Sequence, residues 1–509
     1  MPEYYSSIGE AVGAAMQHNI RLAHRSAAPG SDKPLQARHL PSASADPYSV
    51  RGTISRLHED ASPDEVAGII EEVNGALVGA LPELTELVAS AADWTRARVL
   101  GGAVMALHSA QGPRLGLPQM ISSRAQFGVR GAAVPLTLVV VMYVGFFASG
   151  SVLAGQAVGE LTHLGDTTGI VLFALVTAAT TLVGYRLIHT LGRVASIVCA
   201  LAFVYLGIRL LQRADLTALL ADRSFHLPLF LLAVSLSASW QLAFGPYVAD
   251  YSRYLPRTTS PRATFWWTLG GSALGSQWSM TFGALAAAAA GSAFVDNQVG
   301  YVVGLGGVGL AASFLYFIVA LGKLTVNVLN TYGGFMSVVT GISGFRGQRA
   351  LSTRGRAAYI AGIMIAGTAV ALLGKDSFLS SFKDFLLFLL TAFTPWSAIN
   401  LVDYYLIAKE RYDLPALSDP HGRYGAWRVK ALVVYGVGLL AQLPFLATSF
   451  YTGPLVAPLG GTDLSWIVGL FVPAALYWLA ARRDTAHLPD RMILSAEMGT
   501  QAGPSVLAS

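Results

Sequence analysis

Charge is scarce in this 509-residue chain. Asp, Glu, Lys and Arg make up 12% of it and hydrophobic residues 53%, whereas roughly a quarter of the residues of an ordinary soluble domain are charged. This balance excludes an ordinary soluble domain and predicts an all-α, polytopic helical membrane protein. The net charge of +5 comes from basic residues in short loops between apolar segments, which favours orientation in a membrane and no nucleic-acid partner.

Cysteine is almost absent. Cys199 is the one cysteine and lies in an apolar run, which excludes a disulfide framework and a thiolate metal cluster. The apolar segments also hold almost no His, Asp, Glu or Cys. A membrane enzyme is the main rival from a different class of function, but metal or acid–base chemistry would need such residues to converge inside the spans. We therefore expect no enzyme and no cofactor.

Long apolar segments are what the sequence does have. About 20 such residues cross the roughly 30 Å of bilayer hydrocarbon. Ten segments are long enough: 132–160, 168–187, 194–211, 228–249, 264–290, 299–322 running on to about 340, 357–374, 384–407, 430–449 and 463–481. The chain is therefore predicted to pass many times through the lipid bilayer of the plasma (inner) membrane, and no obligate protein partner is indicated.

Lysine and arginine concentrate in alternate loops, which predicts which side each loop occupies. The basic set comprises the loops near residues 114–130, 186–193, 253–262, 346–356 and 409–430, and the tail. We expect these loops and the C-terminus to be cytoplasmic. The domain boundaries that follow are a partly disordered, partly amphipathic-helical segment over 1–95, a membrane domain over 96–483 and a cytoplasmic tail over 484–509.

The stretch "SWQLAFGPYVADYSRYLPR" contains Gly245-Pro246 in the middle of a predicted span. Proline removes a backbone donor and glycine permits altered dihedral angles, so the pair predicts a broken helix whose freed backbone groups bind a ligand near the midplane. A proline kink without function is the alternative. Trp240, Gln241 and Phe244 lie within about one turn of the pair and suit stacking of a flat heteroaromatic ring. A lipid-facing or packing tryptophan is the alternative.

A second group of polar residues lies in "GKLTVNVLNTYGGF", where Asn327 and Asn330 are three residues apart and so share a helix face. They are predicted to face a cavity or to hydrogen-bond between helices. In "TPWSAINLVDYYLI", Pro395 is predicted to interrupt another span. Asp403 and Asp250 are predicted to be interfacial anchors.

Four motifs together carry a resemblance: "GLPQMISSRAQFGVRG", "FGPYVADYSRYLPR", "NVLNTYGGF" and "PWSAINLVDYYL". From about Val99 to about Arg483 the chain resembles the nucleobase:cation symporter family, in its purine/cytosine permease branch. The resemblance implies two inverted five-helix repeats and two extra C-terminal helices. It also implies that the first and sixth helices are broken, with the substrate between them and the third and eighth.

The resemblance also implies site residues. The third-helix aromatic residue falls at Tyr143, and the sixth-helix stacking position falls at Trp240 or Gln241, beside Phe244 and Gly245. The amide that reads the ring edge falls at Asn327 or Asn330. One cation-binding hydroxyl falls at Thr325, whereas its neighbour is Val326, which supplies no oxygen. The coupling ion therefore stays open between H+ and Na+.

The front of the chain departs from the family pattern. "VLGGAVMALHSA" is apolar over only about half a crossing and predicts a stub at the end of the second helix, and residues 1–95 hold no apolar run for the first. The expected function is cation- or proton-coupled symport of a nucleobase such as cytosine, a purine or a related ring. The alternative is a transport-incompetent or truncated homologue that retains only the fold.

Overall fold

The computed structural model describes residues 91–183, 185–214, 227–291, 294, 297–347, 352–461 and 463–484. This part of the chain is helical apart from loops, turns and one isolated bridge between Ala447 and Thr452. Its helices are α1 (Ala91–Leu115), α2 (Gln119–Ser122), α3 (Arg124–Phe127), α4 (Ala133–Thr162), α5 (Asp166–Val183), α6 (Tyr185–Arg213), α7 (Leu227–Ser252), α8 (Pro261–Ala290), α9 (Gln298–Gly306), α10 (Leu310–Arg346), α11 (Thr353–Gly374), α12 (Phe378–Leu401), α13 (Val429–Gln442) and α14 (Ser465–Ala481). The predictions for residues 1–90 and 485–509 lie outside the described residues.

Each of the ten predicted spans falls on helix, but one of them is divided. The segment predicted to run from 299 to about 340 is two helices, α9 and α10. Gly307 and Gly309 separate them with φ angles of 141° and 62°, which glycine adopts without the penalty that a Cβ imposes. Hydropathy does not detect this turn because the residues around it are apolar.

The stub predicted near residue 100 is wrong, because α1 is a full helix of 25 residues. At 1.5 Å per residue it is about 37 Å long, enough to cross the hydrocarbon. Its polar side chains His108, Ser109 and Gln111 are buried inside the protein. A helix that faces other helices needs no apolar surface, so the hydropathy of the sequence underestimates its length.

The two predicted interruptions are also wrong. Helix α7 continues through Gly245 and Pro246, and α12 continues through Pro395. A proline inside a helix removes one hydrogen bond, and at these two places the helical backbone nevertheless continues on both sides. Beyond α12 the backbone does change, to a π-helix over Val402–Ile407.

The helices form an inner group and a lipid-facing rim. Helix α4 packs along α10, α1 packs against α7 and α8, and α7 also contacts α12. Every residue from 235 to 249 of α7 is buried. Large apolar side chains on α8 are exposed instead, Trp267 by 82% and Leu274 by 75%, as expected of a surface that lipid covers. By length and hydropathy alone, five stretches of the described helices qualify as membrane spans.

Loops that were predicted to share one side of the membrane meet in the structure. Arg114 at the end of α1 forms an ion pair with Glu410. Arg124 is buried and donates to the backbone oxygens of Leu417 and Thr340, at 3.2 and 2.9 Å. These contacts bring together two of the five basic loops, 114–130 and 409–430, with the end of α10.

Candidate functional site

Four aromatic rings follow one face of α7: Trp240, Phe244, Tyr247 and Tyr251, here called the aromatic stripe. Their spacing of three or four residues places them on one face of a helix. Consecutive ring centroids are 5.5, 4.2 and 6.3 Å apart. Trp240, Phe244 and Tyr247 are buried. The sequence predicted Trp240 and Phe244, whereas Tyr247 and Tyr251 were missed although the same spacing continues through them.

Aromatic side chains of helix α4 pack against the aromatic stripe of α7. The ring of Tyr143 lies 5.6 Å from that of Tyr247, and the ring of Phe146 lies 6.1 Å from that of Trp240. Tyr143 also covers Gly333 of α10: a Cβ added there would lie 2.4 Å from the Tyr143 ring. Tyr143 therefore joins α4, α7 and α10, and glycine at position 333 is what lets the ring approach the α10 backbone.

Asn327 on α10 is fully buried against α4. Its Nδ2 donates to the backbone oxygen of Phe147 at 3.0 Å and to Ser151 Oγ at 2.9 Å. Its Oδ1 has no hydrogen-bond partner within the described part of the chain. Leaving a buried acceptor unpaired costs about 1–3 kcal/mol, so this oxygen marks a place where a ligand donor would be stabilising.

Asn330 and Thr325 lie on the same helix as Asn327. Asn330 is buried, one turn further along. Thr325 is half-buried, and its hydroxyl donates to the backbone oxygen of Gly322 at 2.7 Å. Because that bond uses only its proton, the Thr325 oxygen keeps lone pairs for a cation, but hydroxyl back-bonding of this kind is also ordinary in helices.

Gln241 points away from the aromatic stripe. Its Oε1 accepts from Ser272 Oγ at 2.7 Å and its Nε2 donates to Ser276 Oγ at 3.4 Å. Both serines belong to α8, and Gly101 of α1 packs against the Gln241 side chain. Trp240 and Gln241 are therefore separated by the helix itself: Trp240 faces Phe146 and Gln241 holds α7 against α8.

Gly245 faces in a third direction, toward α1 and α12. A Cβ added there would lie 3.2 Å from His108 Cδ2 and 3.5 Å from Ser397 Oγ. Glycine at this position allows three helices to approach each other. Gly245 therefore serves the packing of α7 against α1 and α12, and the backbone is not broken there.

Comparison with known proteins bears on this arrangement directly. Residues 95–469 match the family described as permeases for cytosine/purines, uracil, thiamine and allantoin. The chain belongs to this permease family. It is also 39% identical over 382 residues to "Putative purine-cytosine permease YxlA" of Bacillus subtilis (strain 168), a match that covers 75% of this chain and 82% of that protein.

Solved structures agree with the fold expected of a permease of this family. Mhp1, a nucleobase-cation-symport-1 family transporter in a closed conformation with bromovinylhydantoin bound, aligns with a TM-score of 0.66 at 20% identity, over 86% of this chain and 95% of that one. Mhp1 in its inward-facing conformation aligns with a TM-score of 0.60 at 20% identity, over 82% and 90%. The predicted all-helical, polytopic transporter architecture is thereby confirmed, and the fold that the match shows is LeuT-like.

Membership in the permease family also confirms two predictions of function. The protein is a multi-pass membrane permease of the nucleobase-cation symporter family, and it is a transporter rather than an enzyme. Within the residues that the structure covers, no three His, Cys, Asp or Glu side chains are grouped so that they could hold a metal ion.

A buried series of hydrogen bonds that the sequence did not predict connects α1 with α12. We call it the polar chain: His108, Gln119, Gln111, Asn400, Gln126 and Asp403. Gln119 Nε2 donates to Gln111 Oε1 at 3.1 Å, and Gln111 Nε2 donates to Asn400 Oδ1 at 2.9 Å. Residue spacing in the sequence was the available signal. His108 and Gln111 are three residues apart in α1, and Asn400 near the end of α12 is three residues before Asp403 of the π-helix that follows.

Asp403 is not the interfacial anchor that was predicted. Its carboxylate is fully buried and accepts from Tyr412 at 2.6 Å, Tyr477 at 2.8 Å and Gln126 Nε2 at 3.0 Å. Buried charge is tolerated where such donors surround it. Asp250 likewise has an internal role, because its Oδ1 accepts from the backbone nitrogen of Gln119 at 2.8 Å and so ties α7 to α2.

Proposed function

We propose that the chain is a secondary active symporter that carries a nucleobase or a related heteroaromatic ring across the plasma membrane. The proposed site lies between α4, α7 and α10. The observation that carries it is the position of Asn327, whose fully buried Oδ1 has no partner among the described residues, on the helix that the Tyr143 ring covers. A flat ring with an N–H on its edge fits both features.

Two kinds of contact would bind the substrate: stacking on its faces and a hydrogen bond to its edge. An aromatic side chain contributes on the order of 1–3 kcal/mol to the binding of one base by stacking, and Trp240, Phe244 and Tyr143 offer ring faces. A ring N–H would donate to Asn327 Oδ1, and a net hydrogen bond adds about 0.5–1.5 kcal/mol. Asn330 is the alternative reader of the ring edge, since it is also buried on α10.

The descriptions of the family and of the Mhp1 structure support a small ring compound as the substrate. The family is described by cytosine/purines, uracil, thiamine and allantoin, and the Mhp1 structure holds a substituted hydantoin. All of these are small ring compounds with polar ring edges. We propose that cytosine, a purine or a ring of similar size is the small molecule that this protein transports.

The driving ion is proposed to be H+ or Na+. Thr325 supplies one oxygen near the site, and its neighbour Val326 supplies none. Sodium is best held by several oxygen ligands, so proton coupling is the simpler fit. For orientation, we propose that the end of the bundle where Arg114, Arg124 and Arg428 lie is cytoplasmic, together with the C-terminus.

Uptake measurements test the proposal. Cells that express the full chain would be given radiolabelled cytosine, adenine, hypoxanthine, uracil or allantoin, and accumulation would be followed with and without a protonophore, and with sodium replaced by choline. We expect concentrative uptake of at least one ring. Normal membrane insertion with uptake of none of them would favour the second candidate, a homologue that keeps the fold without transport.

A further inference from the structure

His108 lies about two turns before the C-terminal end of α1 and is fully buried between helices. Its ring stacks on Trp396 with centroids 4.8 Å apart and planes 17° apart. Its Nε2 lies 3.1 Å from Ser397 Oγ, and its Nδ1 lies 3.3 Å from Gln119 Nε2. The ring is therefore fixed by contacts to α12 on one side and to α2 on the other.

The hydrogen bonds define the protonation state that this conformation favours. An amide nitrogen only donates, so His108 Nδ1 accepts from Gln119, and Nε2 carries the ring proton toward Ser397. This is the neutral imidazole. A second proton on Nδ1 would point at the amide NH2 of Gln119, so two hydrogen-bond donors would face each other without an acceptor.

Gln119 offers an acceptor for that second proton. Its Oε1 is buried and has no hydrogen-bond partner among the residues described. Rotating the amide by half a turn would bring Oε1 onto His108 Nδ1. The same rotation would break the hydrogen bonds from Gln119 Nε2 to Gln111 Oε1 and Asn400 Oδ1, which are 3.1 and 3.5 Å long. Without that donor, these two acceptor oxygens would lie beside Gln119 Oε1 and repel it.

We propose that His108 is the binding site of the coupling proton. The proton binds at Nδ1, and the rotated Gln119 amide transmits its arrival to α12 through Asn400. The effect of protonation would also be transmitted to α7, because the Gln119 backbone nitrogen donates to Asp250. His108 touches Gly245, next to Phe244 of the aromatic stripe, so the proton and the ring would be sensed by the same segment of α7.

The surroundings of His108 include few charges. Asp250 faces it from α7 across Gln119, and Asp403 lies beyond Asn400 and Gln126 at the end of α12. Arg114 and Glu410 form their ion pair near the end of α1. Helix α8 presents Thr268, which is bonded to Ser109. Of these charged groups, Asp250 is linked to His108 through a single residue, Gln119.

This inference rests on the proposed function and on H+ as the driving ion. It is tested with the full chain purified and reconstituted into liposomes, using whichever of cytosine, adenine, hypoxanthine or uracil the wild type exchanges. Two quantities are measured: accumulation driven by a pH gradient, and counterflow exchange at equal pH. Their ratio separates proton coupling from ring binding.

We expect His108→Gln to lower the ratio at least tenfold, because glutamine cannot take up the proton. His421→Gln, at an exposed histidine, is the matched control and should keep the wild-type ratio. Gln119→Glu places a carboxylate against Nδ1 and should move the midpoint of pH-dependent uptake to higher pH by about one unit or more. A merely structural role for His108 would not produce that shift.

An unchanged ratio in His108→Gln, or an unmoved midpoint in Gln119→Glu, would overturn the inference. So would wild-type accumulation that follows a sodium gradient and ignores the pH gradient. Should His108→Gln fail to fold, the Gln119→Glu profile and the wild-type response to each gradient still decide. A wild type that exchanges none of the rings would instead refute the proposed function, and this inference with it.

Discussion

Two buried amide side chains, Gln241 at the α7–α8 junction and Asn327 at the α4–α10 junction, differ in how they are paired. Gln241 uses both ends of its amide, on Ser272 and Ser276. Asn327 uses only its nitrogen, on Phe147 and Ser151, and its oxygen has no partner among the described residues. The same chemical group therefore holds helices together in one place and is available to a ligand in the other.

The difference teaches where to look for a binding site in a membrane helix. A polar residue inside a span is costly unless it is paired, so its presence alone does not separate packing from ligand binding. The state of each donor and acceptor does. Five substitutions, two of them with matched controls, test this distinction.

Gly150→Ala should have the largest effect. A Cβ at this position would lie 2.3 Å from Asn327 Oδ1, so the amide would have to leave its place and lose its bonds to α4. We expect ring affinity to fall at least about 100-fold, measured by equilibrium binding of the transported nucleobase. Gly362→Ala has open space around it and should bind as the wild type does; equal losses in the two variants would contradict the role of Asn327.

Trp240→Ala should weaken binding by about 1–3 kcal/mol, roughly 5- to 150-fold, because it removes a stacking face. Trp267→Ala is the matched control, since Trp267 is 82% exposed on α8 and is expected to contact lipid. Binding isotherms of the two purified variants provide the measurement. Similar affinities in both would mean that Trp240 only packs.

Asn327→Ala and Gln241→Ala should separate affinity from stability. The first is expected to lower affinity about tenfold, since one hydrogen bond to the ring is lost. The second should leave affinity within about threefold but lower the free energy of unfolding by about 1–3 kcal/mol, because Ser272 and Ser276 lose their shared partner. Binding and thermal unfolding in detergent would be compared. The reverse pattern would exchange the roles of the two amides.

Gly245→Ala should have the smallest effect. Helix α7 continues through this position, and alanine favours a helix over glycine by about 0.5–1 kcal/mol. The added Cβ would come within 3.2 Å of the His108 ring, which needs to shift by only a few tenths of an ångström. We expect uptake within about threefold of wild type. Abolished uptake in a variant that still reaches the membrane would instead favour a functional break at Gly245.

Much of the fold could be predicted from the sequence, because lipid imposes one simple requirement on the residues that face it. Apolar length predicted ten segments that fall on helices, and the alternation of basic residues put the loops of Arg124 and Leu417, which are in contact, on one side. The same rule failed for α1, whose inward face carries His108 and Gln111. It also failed at residues 307–309, where a turn is made of glycine and valine.

The site could be predicted only in part, because pairing depends on which helices meet. Spacing indicated Trp240, Phe244 and Asn327, but it did not reveal that Gln241 faces Ser272 on α8. Proline at 246 and 395 suggested breaks, whereas burial among neighbouring helices keeps both segments helical. The polar chain joins residues nearly 300 positions apart, such as Gln111 and Asn400. The sequence around either residue does not indicate which residue it contacts.

The most direct test is an experimental structure of the full chain with the nucleobase that it transports bound. We predict density for a flat ring between the faces of Trp240 and Tyr143, with a ring N–H within about 3 Å of Asn327 Oδ1. Ring density at a different place, with Asn327 Oδ1 accepting from a group of the protein and the rings of the aromatic stripe in contact only with protein side chains, would contradict the account.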